Sequence, residues 1–308
     1  MDARLRPSPN RRGARPRRPD RCGRVALVLQ GGGALGAYQC GVYQALHEAE
    51  LEPDWVSGVS IGAINAAIIA GNSPRRRVDQ LRLFCERITE RKISTHTPDG
   101  DVFRKVRNST SALVTMTPGR PGFFEPRVPN PWFSLAGART AISYYDTAPL
   151  RSTLDELVDF SLINEQSIRF SVGAVNVLSG NLMGRHKDIM YSSRTRYNTD
   201  VYRRMHKLKT QLYQALAKVP EDRLDENERR MKAELADLPE ITILQIIYQQ
   251  KAYEGHAKDY DFSGTSMREH WQSGYEDMGR TLKRQDWLEL PAAGAGIIVH
   301  DVHREADQ

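Results

Sequence analysis

Val25-Ala-Leu-Val-Leu29 runs straight into Gln30-Gly-Gly-Gly-Ala-Leu-Gly36, and the arrangement returns at Trp55-Val-Ser-Gly-Val-Ser60-Ile-Gly62. An unbroken apolar run bounded by polar residues suits a strand buried on both faces of a parallel sheet. From Ala34 the apolar positions Leu35, Tyr38, Val42, Leu46 and Ala49 recur at spacings of three and four, as in an amphipathic helix. After a short connection through Pro53, the second strand covers Trp55 to Val59. Ile61, Ile64 and Ile68 then share one face of a second helix, which Gly71, Asn72 and Pro74 terminate. Two strand, turn and helix units in succession predict an α/β fold with right-handed crossovers.

The two turns carry the chemistry. In Gly31-Gly-Gly-Ala-Leu-Gly36 the backbone N–H groups of Gly31, Gly32 and Gly33 lie free at the positive end of a helix dipole, so the loop can hold an anion. That anion is either a phosphate or the oxyanion of an acyl-transfer intermediate. In Gly58-Val-Ser60-Ile-Gly62 a strained turn lifts the serine clear of the sheet, and Gly58 and Gly62 leave room for the bend. Ser60 is then the candidate nucleophile, and the Ile61 N–H joins the glycine loop in stabilising charge on a substrate carbonyl oxygen. A dinucleotide fold would want Asp or Glu at the end of the second strand, where this chain has the Ser60 turn, and Asp54 stands at the strand's beginning. A phosphate-binding P-loop fails because no Gly-Lys-Ser/Thr follows the glycines.

Beyond the second helix, Val78, Leu81, Phe84 and Ile88 make a third stripe. Residues 98 to 133 hold six prolines and read as a long irregular segment, with Phe123, Phe124, Trp132 and Phe133 packing it onto the body or forming a lid over acyl chains. Thr147-Ala-Pro-Leu150 opens a helix, and the alternation of Ile168, Phe170, Val172 and Ala174 predicts a strand over 167–177. After Gly180 the pattern turns mainly helical. Val201, Met205, Leu208, Leu212 and Leu216 form one stripe, a charged stretch to Leu238 a second helix, and Ile241 to Tyr248 a strand. Ser266-Met-Arg-Glu269 resembles a capping box opening a last helix through Trp271, Tyr275, Met278 and Leu282.

The chain of 308 residues is 40% hydrophobic and 27% charged, as in a soluble globular protein. No apolar run reaches the roughly 18 residues needed to span a bilayer, and the start does not read as a secretory signal. The expected location is the cytoplasm, with peripheral contact to the inner face of the membrane as an option. The formal charge of +6 is concentrated in residues 1–24, an Arg- and Pro-rich tail expected to be disordered, which holds nine Arg and two Asp. The remainder carries 35 basic and 36 acidic side chains, so no nucleic-acid partner is expected. Cys22, Cys40 and Cys85 are odd in number and lack zinc spacing, which predicts neither a disulfide framework nor a metal site.

The two turns resemble those of the patatin-like phospholipases. Leu29-Gln-Gly-Gly-Gly-Ala-Leu-Gly-Ala-Tyr-Gln39 is similar to that family's oxyanion loop, and Gly58-Val-Ser-Ile-Gly-Ala-Ile-Asn-Ala66 to its nucleophile elbow. The resemblance covers about residues 25–180. Tyr144-Tyr-Asp-Thr-Ala-Pro-Leu150 and the tail from Tyr191-Ser-Ser-Arg-Thr-Arg196 onward resemble a bacterial branch with a C-terminal extension. The resemblance implies a three-layer α/β core over 25–190, with a mainly parallel sheet that is incomplete here, followed by a mostly helical extension over 191–308. It also implies hydrolysis of phospholipid or other acyl-ester lipids by a Ser-Asp dyad, without cofactor. Ser60 would form the acyl-enzyme and Gly31, Gly32 and Gly33 would line the oxyanion hole.

The family's aspartate comes from an Asp-Gly-Gly or Asp-Gly-Ala turn after the strand matching Phe170 to Val177, and nothing between Gly180 and Tyr191 fits it. Asp99, Asp146 and Asp188 are weak substitutes, which read more simply as an ordinary Asp-Gly turn, the lead-in to a helix and a surface charge. A Ser-His-Asp triad could draw on His186, His256, His270, His300 or His303. Without a base, turnover falls on the order of 10⁶, leaving about 10³ over water. Two functions stay open: a lipid acyl hydrolase, and a catalytically impaired relative acting as a lipid-binding or interaction module or arising as a truncated gene product. Oligomeric state is not readable from the sequence.

Overall fold

The computed structural model describes residues 22–89, 119–120, 122–128, 144–165, 167–173, 193–249, 251, 258–284, 286–292 and 295–301. Strands β1 (Ala26–Leu29), β2 (Trp55–Gly58) and β5 (Arg169–Val172) form a parallel sheet in the order β1-β2-β5. The register sets Leu29 beside Gly58 and Gly58 beside Val172. Helix α1 (Gly36–Glu48) connects the first pair, while α2 (Ile61–Ala70) and α3 (Pro74–Thr89) begin the longer path to β5. Each crossover steps the sheet in the same direction, so right-handed connections put the helices on one face.

That covered face carries Leu27, Leu29, Val56 and Phe170, which pack with α1, α2 and α3 into one core with Tyr43, Ile61, Ile68, Leu81 and Phe84. On the opposite face Val28 is 70% exposed, and Trp55 and Arg169 are exposed beside it. The second helical layer of a three-layer core is not found among the described residues. The three described strands succeed one another without a reversal of winding, which sets their connecting helices on one side.

Residues 119–120 and 122–128 fold back on one another. There β3 (Glu125–Pro126) pairs antiparallel with β4 (Tyr145–Asp146). Phe123 meets Phe84 and Phe262 edge-on, and Phe124 meets Tyr145, so this part of the irregular segment packs onto the body. Trp132 and Phe133 lie outside the described residues. Helices α4 (Ala148–Leu157) and α5 (Phe160–Asn164) follow, with Pro149 in the first turn of α4.

The C-terminal part contains α6 (Ser193–Leu216), α7 (Glu226–Ala236), β6 (Ile241–Gln245), α8 (Gly264–Thr281) and β7 (Ile297–Asp301). Strands β6 and β7 pair in parallel, with α8 in the crossover between them. Helix α8 starts two residues before the capping box suggested by the sequence. Ser263 caps it by accepting from the Ser266 N–H, and the Ser266 hydroxyl donates instead to Asp261.

Helix α8 lies along α1 at very close range. A Cβ on Gly274 would sit 2.0 Å from the Tyr38 carbonyl oxygen, and one on Gly41 would sit 1.9 Å from that of Trp271. Only glycine on both helices allows the backbones to approach so closely. Side chains lock the pair: Tyr38 donates to Asp277 over 2.7 Å, Trp271 to Gln44 over 2.7 Å and Tyr275 to Glu48 over 2.6 Å. The Tyr275 hydroxyl is pushed up to about 12 by its bond to Glu48, with burial adding to the shift. Burial, reinforced by Asp277, raises the Tyr38 phenol further still. An α8 drawn onto the core in this way was not foreseen in the sequence. No helix among the described residues is long and apolar enough to cross a membrane.

Candidate functional site

Ser60 stands between β2 and α2 at φ 56° and ψ −128°, one of two non-glycine residues with positive φ among those described. Such a conformation costs on the order of 1–3 kcal/mol and persists only where the surroundings impose it. Here they do. A Cβ on Gly58 would lie 2.2 Å from the Gly62 carbonyl oxygen, and one on Gly62 would lie 2.3 Å from that of Leu29. The turn is thus wedged between its own helix and the end of β1. Ser60 is exposed, and its hydroxyl bonds to no described residue.

The glycine loop sits directly against this turn. A Cβ on Gly36 would meet the Ile61 side chain at 2.4 Å, and the Val59 N–H donates to the Leu29 carbonyl over 3.1 Å. Asn65, buried in the second turn of α2, donates to the Gly36 carbonyl over 3.0 Å and to Gln39 over 3.1 Å. Gln39 in turn donates to the Gln30 carbonyl over 2.6 Å. The loop is therefore tied at both ends. The N–H groups of Gly31, Gly32, Gly33 and Ile61 donate to no described residue. Donors left free beside an exposed serine are what stabilisation of an oxyanion requires.

Two neighbours of the loop were not foreseen in these places: the Asp259 turn, and His270, which the sequence offered only as a possible triad histidine. Gly33, at φ 52°, has the Asp259 carbonyl oxygen 2.1 Å from where its Cβ would be, so the turn at Lys258–Tyr260 abuts the loop. His270 of α8, only 1% exposed, places Nδ1 3.3 Å from the Ala34 carbonyl and stands edge-on to Tyr248. The bare glycine face of the loop was the available signal, since it invites a close backbone neighbour.

Of the candidate bases, Asp146 is described and is engaged elsewhere. It accepts from the Ala148 N–H over 3.0 Å at the start of α4 and lies 3.5 Å from Arg127. Its place is the helix lead-in that the simpler reading expected. Asp99 and Asp188 lie outside the described residues, as do His186, His256 and His303. His300 is on β7, and His270 lies behind the glycine loop. Among the described residues no carboxylate or imidazole bonds to Ser60.

A parallel sheet with a serine turn at the end of one strand and a glycine loop at the end of its neighbour places the chain among α/β proteins. The comparisons narrow this. Residues 189–293 match the family model described as Patatin phospholipase. Lysophospholipase nte1 of Aspergillus terreus is 56% identical over 50 residues, 16% of this chain and 3% of that protein. Triacylglycerol lipase ptl3 of Schizosaccharomyces pombe is 42% identical over 62 residues, 20% of this chain and 13% of that protein. Patatin-like phospholipase domain-containing protein 7 of Rattus norvegicus is 39% identical over 66 residues, 21% of this chain and 5% of that protein. In these three the match spans between 3% and 13% of the curated relative. No solved structure matches. Over these stretches the chain is similar to patatin-like phospholipases and lipases.

Proposed function

We propose that the chain is built as a lipid acyl-ester hydrolase with Ser60 as nucleophile. The observation that carries this reading is the Ser60 backbone, held at φ 56° by Gly58 and Gly62 beside a loop of free N–H groups. The names of its relatives, lysophospholipase and triacylglycerol lipase, support acyl esters of lipids as the substrate class.

In the reaction the Ser60 Oγ attacks the ester carbonyl carbon, and the carbonyl electron pair moves onto oxygen. The N–H groups of the 31–33 loop and of Ile61 face that developing charge. Collapse expels the alcohol, which takes up a proton, and water then releases the fatty acid from Ser60. The proton leaving Ser60 requires an acceptor, and no described carboxylate or imidazole is hydrogen-bonded to its hydroxyl.

The sequence itself, with no Asp-Gly-Gly or Asp-Gly-Ala turn between Gly180 and Tyr191, favours a second reading, an impaired relative that binds lipid without efficient turnover. Purified protein treated with a fluorophosphonate probe separates the two, with hydrolysis of a soluble short-chain ester followed in parallel. The hydrolase reading expects labelling and turnover in the wild type and neither in Ser60→Ala, a loss on the order of 10³-fold or more. A folded wild type that neither labels nor turns over would overturn it in favour of the impaired relative.

A further inference from the structure

Helix α6 is turned the wrong way round for a helix of a globular protein. Its inward contacts are polar: His206 Nε2 lies 3.0 Å from the Pro239 carbonyl, and Gln245 donates to the Thr199 hydroxyl over 3.3 Å. The His206 ring also fills the space beside Gly296, where a Cβ would come within 2.6 Å of Nδ1. On the opposite side Val201, Met205, Leu208 and Leu212 recur at spacings of three and four and are 36%, 48%, 65% and 42% exposed. Tyr202 beside them is 66% exposed. Much of this stripe stays open to solvent among the described residues, whereas a surface helix ordinarily turns its apolar side to the core.

The charge on the helix says what does cover it. The 24 residues of α6 hold six Lys or Arg and one Asp, although residues 25–308 as a whole carry 35 basic and 36 acidic side chains. Exposed Arg204 and Lys207 flank the stripe on one side and Lys209 on the other, as helical geometry places them. Arg204 and Lys207 also line, with Arg203 and Asp200, a polar groove of about 670 Å³ between α6 and the start of β7. A second copy of α6 would set like charges against each other across the stripe. An apolar strip bordered by cations matches the boundary between acyl chains and anionic headgroups, where such helices lie about 5–10 Å deep in the membrane plane.

We propose that α6 is an interfacial docking helix that seats the protein on an anionic lipid surface through Val201, Met205, Leu208 and Leu212. The proposal deepens the lipid-hydrolase reading by assigning the surface on which the substrate is met, but docking itself needs no chemistry at Ser60.

The test is co-sedimentation of the full chain with vesicles of phosphatidylcholine alone and of phosphatidylcholine mixed with phosphatidylglycerol. Binding should require phosphatidylglycerol and weaken with added salt. The double variant Leu208→Asp, Leu212→Asp should lose more than tenfold in affinity, and Lys207→Glu and Lys209→Glu about fivefold or more each. All three should keep the wild-type circular dichroism and whatever labelling and short-chain ester turnover the wild type shows. Ser60→Ala should bind vesicles like the wild type, so that loss of the hydrolase reading and loss of this one are told apart. Wild type that ignores phosphatidylglycerol vesicles would overturn the proposal. So would unchanged binding by the double variant, which would transfer the contact to the Arg-rich residues 1–24, or a concentration-dependent dimer that the same variant dissolves.

Discussion

Helices α6 and α8 belong to the same C-terminal part and both carry an amphipathic pattern, yet they end in opposite situations. Helix α8 buries Met267, His270 and Met278 and presses Gly274 onto the backbone of α1. Helix α6 sends its polar side inward and leaves Leu208 65% exposed. An apolar stripe states only that a helix has something to cover; what covers it depends on whether a groove of the right depth exists. For α8 that groove is made by Gly41, whereas the space beside Gly296 receives α6 through its polar His206 ring.

Two substitutions within α8 sharpen the contrast. In an exposed helix Gly→Ala stabilises by about 1 kcal/mol through propensity alone. At Gly279, where a Cβ would meet nothing within 4 Å, that gain should appear. At Gly274 the new methyl would lie 2.0 Å from the Tyr38 carbonyl oxygen, forcing the helices apart. The expected outcome there is a loss of about 3 kcal/mol. Urea denaturation of the two variants should therefore give shifts of opposite sign. Equal, stabilising shifts would mean that α8 does not depend on α1.

A smaller effect is expected at the bond that locks the crossing. Tyr38→Phe removes the hydroxyl donating to Asp277 in a buried site, while Arg280 remains paired with the carboxylate. The loss should be about 1–2 kcal/mol in the same measurement. No change would place Asp277 in solvent and the crossing in a looser arrangement than described.

The strands and helices around the two turns were legible because their signals are local. A buried apolar run, a glycine break and a helical stripe each lie within a few residues of the structure they specify, and Gly58 and Gly62 announce the bend at Ser60. What was not legible depends on residues far apart in the chain. The Asp259 carbonyl seated on Gly33 and the His270 ring behind Ala34 leave no mark in the periodicity of either segment. The open sheet face carrying Val28 follows from strand order, which no single strand reveals. The two-residue strands at Glu125 and Tyr145 are too short to show an alternation. At the site, Asp146 could be read either as a base or as a helix lead-in from its neighbours alone, and the Ala148 N–H assigns it to the second.

The smallest expected effect is the one that tests the other half of the comparison. Leu208→Ser in α6 removes a large apolar side chain, which in a core would cost several kcal/mol through lost burial and the cavity left behind. At a position 65% exposed there is little burial to lose and no cavity to form, so the change in stability should stay within about 0.5 kcal/mol. Denaturation in the absence of lipid measures it. A loss as large as that at Gly274 would show that the stripe is covered within the folded chain, and α6 would then be a core helix like α8.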